Sequence, residues 1–566
     1  MTALGNQNLP ARADRPWWRD AVVYQIYARS FADGNSDGIG DIAGIASRID
    51  YFTQLGIDAI WITPCYVTPW KDGGYDVANY YEIAPEVGSK SEVAQLATAL
   101  HDRGIKLIMD LVPNHTSDQH EWFQAALNAG PNSPQWARYH IIKGKDDGKN
   151  PPNDWRSVFG GAAWSPFPNH PGYWYLHIFD SSQPDLNWEN PEVKAEFEKI
   201  LRYWFDLGVD GFRIDVAHGM VKDAGYPDND VYTQMVAGTK SETPAEYPQW
   251  DRPGVHEIYR SWRKIADEYS PAKVFCAEAW VNDPNRMAQY IRKDELHTAF
   301  NFTYYGAGWD ATKQRSAINE SMSTAAIYGA PTTWVLSNHD VVRHRTRLAP
   351  DAGSRSNSGK RDRIVDQAAG EKIARAATLF MLGLPGSSYL YQGEELGLPE
   401  VTDIPADRRE DPAFARTNGE DGYRDGCRVP IPWTDDAETN YGFSEVAGKQ
   451  SWLPQPNSWV QLSVKVQQQD PNSSLKFYQS ALKLRKELTQ LGDGYLTWLD
   501  QDSTNYLAFQ RDDLVIACNP SATAVTISLP AAAELLLASD AGVVLNGAEL
   551  TMPSDSAVWV RIKVVQ

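Results

Sequence analysis

Eight short apolar runs, alternating with stretches of helical apolar spacing, constrain this chain most. They fall at residues 22–27, 59–62, 106–112, 211–214, 274–277, 299–302, 333–336 and 388–391. Between them lie amphipathic segments such as 91–103, 193–207, 257–268 and 373–381, whose apolar residues recur every three to four positions. Strands alternating with helices build parallel βα units. Eight such units predict an α/β fold, a (β/α)8 TIM barrel, which needs about 250 residues or more. The chain has 566 residues and room for further domains.

Two segments break the rhythm. Residues 115–190 are rich in Gly, Pro, Asn and Trp and far exceed the about 2–6 residues of an ordinary βα loop. They predict a small domain inserted after strand 3, between barrel portions 1–114 and 191–491, walling the face where barrel active sites sit. A shorter excursion over 399–458 predicts a second wall. Beyond a helix at 475–491, alternating apolar runs at 506–509, 514–517, 525–529 and 558–562 predict a C-terminal all-β sandwich over 492–566.

Composition excludes several functions. A formal net charge of −20 repels nucleic-acid phosphates and anionic lipid but leaves neutral substrates unaffected. No apolar run approaches the about 20 residues that cross a bilayer, and the N-terminus lacks a signal-peptide pattern. The expectation is a soluble, cytoplasmic protein without nucleic-acid or membrane partners. Cys65, Cys276, Cys427 and Cys518 show no paired spacing, which argues against disulfides and zinc clusters. Nothing in the sequence sets the oligomeric state.

Three predicted strands end on a carboxylate: Gly211-Phe212-Arg213-Ile214-Asp215, Val274-Phe275-Cys276-Ala277-Glu278 and Val335-Leu336-Ser337-Asn338-His339-Asp340. Barrel strands deliver their C-terminal residues to one pocket, and converging carboxylates suit glycoside hydrolysis through a covalent intermediate. Arg213, two residues before Asp215, leaves the same face of its strand and would hold Asp215 ionised as nucleophile. Glu278 follows an apolar run, a setting expected to raise its pKa and keep it protonated as general acid. Asp340 is available to stabilise an oxocarbenium-like transition state. Any one of these acids alone also suits a helix cap or a surface charge.

At these motifs, with Asp110-Leu111-Val112-Pro113-Asn114-His115 and Ala277-Glu278-Ala279-Trp280, the chain resembles α-glucosidases of the α-amylase superfamily, glycoside hydrolase family thirteen. The resemblance implies Asp215 as nucleophile, Glu278 as acid/base and Asp340 as transition-state stabiliser, with His115, His339 and Arg213 on the innermost sugar. Asp72-Gly73-Gly74-Tyr75-Asp76 resembles the segment that closes the pocket on the non-reducing end, with Tyr75 stacking on the ring. Arg424-Asp425-Gly426-Cys427-Arg428-Val429-Pro430 resembles the segment supplying the partner of Asp72, taken as Arg428. Phe159, Phe179 and Gln183 match pocket-lining positions, although ordinary packing also accounts for the two Phe residues.

The resemblance implies a retaining exo-α-glucosidase acting on small neutral oligosaccharides or glucosides, α-1,4 favoured over α-1,6. Sucrose or trehalose isomerases, glucosyltransferases and non-catalytic binding relatives are the rivals. The run Asp33-Gly34-Asn35-Ser36-Asp37-Gly38-Ile39-Gly40-Asp41 carries oxygen ligands at alternate positions, like the start of an EF-hand loop without its terminal Glu. A hydrated turn needs no metal, whereas the resemblance implies structural Ca2+ or Mg2+ held by Asp33, Asn35, Asp37, the Ile39 carbonyl and Asp41.

Overall fold

A computed structural model describes residues 3–229, 247–360, 363–499 and 503–563. Its central sheet contains β1 (Val22–Ile26), β2 (Ala59–Ile62), β3 (Lys106–Leu111), β4 (Gly211–Ile214), β5 (Val274–Ala277), β6 (Thr298–Ala299), β7 (Thr333–Val335) and β8 (Ser387–Tyr391). All neighbours are parallel, in the order β6-β5-β4-β3-β2-β1-β8-β7. A parallel bridge from Phe300 to Thr333 closes the ring between β6 and β7, giving the expected barrel. Val23, Ala59, Trp61, Ile108, Cys276, Val335 and Tyr389 pack together at its centre, one alternate set of strand positions.

The sixth strand is shorter than the 299–302 expected. Asn301 accepts the amide N–H of Tyr304 at 3.0 Å and caps the helix Phe302–Gly306. An Asn side chain that satisfies a free helix-start N–H favours the helix over further strand.

The segment after β3 carries helix Glu121–Asn128 and a three-stranded antiparallel sheet of Ile141–Lys143, Tyr173–Leu176 and Trp164–Pro166. A buried ion pair between Lys222 and Asp185 (2.8 Å) anchors its end to the segment following β4. Trp155, Trp164, Phe179, Val216 and Trp250 form one apolar cluster joining it to the β4 loop.

At the C-terminus a six-stranded and a three-stranded antiparallel sheet enclose Val515, Ala517, Ile527, Leu550, Met552, Val558 and Val560. Leu4–Gly5 pairs with Tyr495–Trp498 at the edge of the larger sheet, so residues assigned above to the barrel portion extend the C-terminal layer. Among the described residues no helix is long and apolar enough to cross a membrane.

Candidate active site

Register builds the centre of the site. Arg213 on β4 lies opposite Asp110 on β3 and Cys276 on β5. The ladder runs one residue further on both sides: the Asp215 N–H donates to the Leu111 carbonyl and the Glu278 N–H to the Ile214 carbonyl, each at 2.9 Å. Asp215 and Glu278 therefore sit side by side past the ends of adjacent strands. Arg213, 1% exposed, places Nη1 at 3.0 Å from Asp110 Oδ1 and 2.7 Å from Asp215 Oδ1, and Nη2 at 3.1 Å from Glu278 Oε2. One buried guanidinium faces three carboxylates.

That imbalance sets protonation. Burial lifts the Asp110 carboxyl to about 7 despite the pull of Arg213. Burial also pushes Asp215 well above the usual carboxylate range; Arg213 opposes this, and the Glu278 and Asp110 charges add to it. The sequence expectation that Arg213 alone keeps Asp215 ionised omitted two neighbouring acids competing for the same cation.

The surroundings of Glu278 also differ from the apolar setting expected. Oε1 accepts the indole N–H of Trp280 at 2.7 Å and Oε2 accepts the Val216 amide at 2.9 Å. Val216 holds φ at 47°, a left-handed conformation that a β-branched residue adopts only under constraint. Trp280 in turn stacks on Phe302 at 3.6 Å.

Beyond β7, His339 lies against Tyr75, rings parallel within 6° and 5.2 Å apart. Its Nδ1 is 2.7 Å from Gln25 Nε2 and its Nε2 3.1 Å from Asp340 Oδ2. With the Gln25 amide donating to Nδ1, the ring proton belongs on Nε2, and burial keeps the imidazole neutral. Burial pushes Asp340 upward, but the Arg424 and Arg428 guanidiniums outweigh it and hold the carboxyl well below its ordinary value. Tyr75 also donates its hydroxyl to Asp110 Oδ2 at 3.0 Å, linking the two halves of the site.

The expected Asp72–Arg428 pair is not formed. Arg424 Nη2 meets Asp72 Oδ1 at 2.9 Å, whereas Arg428 Nη2 meets Asp340 Oδ1 at 2.8 Å and its Nε donates to the His339 carbonyl. Arg424 opens the short 3-10 helix Arg424–Cys427 and Arg428 follows it, and both guanidiniums reach Asp340. Gln183 donates to Asp72 Oδ2 at 3.0 Å, and His115 Nε2 lies 3.0 Å from the Tyr75 carbonyl, its ring kept neutral by burial. The Phe179 ring packs 5.2 Å from His115 and 5.7 Å from Phe159, and Arg424 lies over Phe159 at 5.0 Å. Sequence reasoning gave no role to Asp110, Gln25, Arg424 or Asp411, although Asp110 and Arg424 lie in motifs that it singled out.

In the Asp-rich loop the side chains turn onto the loop's own backbone. Asp33 accepts the amides of Ser36, Asp37 and Gly38, Asn35 that of Asp37, Asp37 that of Ile39, and Asp41 those of Gly34, Asn35 and Gly44. Asp33 also accepts the Ser444 hydroxyl at 2.6 Å. Among the described residues no three His, Cys, Asp or Glu side chains are grouped to hold a metal ion.

The family described as "Alpha amylase, catalytic domain" matches residues 25–494. The chain belongs to the α-amylase family. It is a glycoside hydrolase. A second match, "Domain of unknown function (DUF3459)", covers residues 492–559. An oligo-1,6-glucosidase of Parageobacillus thermoglucosidasius is 33% identical over 91% of this chain and 92% of its own. A probable alpha-glucosidase of Rhizobium meliloti (strain 1021) is 34% identical over the same shares. Among solved structures, the alpha-glucosyl transfer enzyme XgtA superposes with a TM-score of 0.85 at 32% identity, covering 97% of this chain and 100% of that one.

Proposed function

We propose that the protein is a retaining exo-α-glucosidase that releases α-D-glucose from the non-reducing end of short α-glucosides, with α-1,4 linkages preferred. One observation carries the reading: Asp215 and Glu278 occupy matching positions one residue past the ends of adjacent parallel strands. Such strands run about 4.8 Å apart, which suits the about 5–5.5 Å between the carboxyls of a retaining pair.

In this reading Asp215 attacks the anomeric carbon as a carboxylate while Glu278 protonates the departing oxygen. Glu278 then takes a proton from water, whose oxygen displaces Asp215 and regenerates both groups. Asp340, held ionised by Arg424 and Arg428, stabilises the positive charge developing on the sugar ring. Asp72, fixed by Arg424 and Gln183, closes the pocket on the terminal glucose. Tyr75, His115 and His339 complete the innermost subsite, with Phe159 and Phe179 on its wall. Acids held by arginine at the innermost subsite fit chain ends, not chain interiors.

Sugars released from maltose, isomaltose, sucrose and trehalose test this reading. Free glucose from maltose, with turnover of isomaltose lower, is expected. Rearranged disaccharide from sucrose or trehalose without free glucose would overturn it. Glucosyl transfer is the second reading. The Trp280–Phe302 stack beside Glu278 favours it, because an aromatic face there could hold an acceptor sugar against water. Trisaccharide rising with added maltose while glucose release falls would establish transfer.

We retain structural Ca2+ or Mg2+ as a proposal for the Asp33–Asp41 loop, supported by its alternating oxygen ligands. Chelation is expected to lower the melting temperature and restored cation to recover it. An unchanged melt would remove the ion from the account, since the carboxylates already accept backbone amides.

A further inference from the structure

Arg424 is held by a carboxylate that cannot itself reach a substrate. Its Nε and Nη2 form a fork on Asp411, to Oδ2 at 2.9 Å and Oδ1 at 2.8 Å, and its backbone N–H also donates to Oδ2 at 3.0 Å. The same guanidinium extends Nη2 to Asp72 at 2.9 Å and Nη1 to Asp340 at 3.1 Å. The Asp411 side chain is fully buried, whereas that of Arg424 is 19% exposed. Its oxygens are occupied by Arg424 and by the Ala413 amide, which it caps at 3.2 Å. Burial pushes the Asp411 carboxyl up, but Arg424 outweighs it and holds it at about 2.

From this arrangement we propose that Asp411 is a positioning residue for the innermost glucose subsite: it fixes the guanidinium plane of Arg424 so that one cation orients Asp72 and Asp340 together. The inference rests on the exo-α-glucosidase reading, in which those two acids contact sugar. A two-bond Arg–carboxylate fork fixes direction as well as distance. Without it, Arg424 keeps its two carboxylate neighbours and the Phe159 ring beneath it, but no two-bond fork to fix its direction, and it shifts towards one of the acids. Asp411 thus acts from the 399–458 wall on groups carried by the 72–76 segment and by the segment after β7. Asp425 supports it from behind by accepting the Glu410 and Asp411 amides at 3.0 and 3.2 Å.

The test uses Asp411→Asn, which keeps the acceptor for the Ala413 amide and for Arg424 Nη2 but removes the charge, the Nε arm of the fork and the acceptor for the Arg424 backbone N–H. KM for maltose and the inhibition constant for glucose are both expected to rise about tenfold, the scale of one lost charge-assisted hydrogen bond. The kcat should change much less, and the melting temperature by only a few degrees. Asp411→Glu, which restores the charge, is expected to recover part of the glucose affinity. In an Arg424→Lys background, where no fork can form, adding Asp411→Asn should have almost no further effect on either constant.

Unchanged glucose affinity in Asp411→Asn, or an effect undiminished in the Arg424→Lys background, would overturn the proposal. A lowered melting temperature with both constants intact would do the same, assigning Asp411 to the loop's stability alone. If the unaltered protein fails to release glucose from maltose, the parent reading fails instead, and that outcome is read before any variant is made.

Discussion

Asp215→Asn is expected to lower turnover of an aryl α-glucoside by about 10⁴-fold or more, the scale of losing a catalytic nucleophile, while the melting temperature holds or rises. The two effects have separate causes. An amide cannot form the glucosyl ester, so the first step is lost whatever the geometry. The fold, by contrast, is relieved: Asp110, Asp215 and Glu278 crowd one guanidinium, and removing one acid brings the buried charge closer to balance. Activity assayed beside a thermal melt checks both. A variant that turns over normally would remove Asp215 from the chemistry. A strongly destabilised one would mean that the third carboxylate supports the fold and does not strain it.

Arg213→Met carries the largest expected loss of stability, about 3–5 kcal/mol at pH 7, because it strands buried carboxylates without their cation. The pH dependence gives the stricter check. Burial already places the folded Asp110 pKa at about 7, above an unfolded value of about 3.9. A carboxyl whose folded pKa exceeds its unfolded pKa binds more protons in the folded state across that window, so its contribution to stability falls as pH rises from about 4 to about 7. Loss of the guanidinium raises the folded pKa values further and steepens the fall. Denaturation midpoints at pH 5 and pH 7 should show the smaller deficit at pH 5. Equal deficits at both values would mean that Arg213 contributes by packing against Trp61 and Tyr75, not by charge.

Much of the barrel was legible because short buried strands leave apolar runs whose length and spacing survive without tertiary information. The exceptions were decided by contacts that a single segment cannot encode. The stretch over 299–302 has strand composition, yet Asn301 diverts it into a helix. Leu4–Gly5 is too short to carry any period and becomes a strand only through Tyr495 and Leu496. Within the site, Asp215, Glu278 and Asp340 could be picked out by their strand-end positions. Their electrostatics could not: Glu278 receives an amide from Val216 across the strand gap, and Asp215 shares its arginine with Asp110. Arg424 and Arg428 illustrate the same limit, since four residues of separation do not tell that Arg424 reaches both Asp72 and Asp340 while Arg428 reaches Asp340 alone. Asp411 reads as a helix cap before Pro412, and it is one; its fork on Arg424 exists only in three dimensions.

Everything in the catalytic account turns on a covalent bond between glucose and Asp215. Mixing the Glu278→Gln variant with an aryl α-glucoside whose leaving group needs no acid, quenching rapidly and mapping the digest by mass would test for it directly. The peptide containing Asp215 is expected to gain the mass of one anhydroglucose, fragmentation locating it on that carboxyl. Release of the aryl group with no modified peptide, or with the sugar on Asp110 or Asp340, would contradict the account.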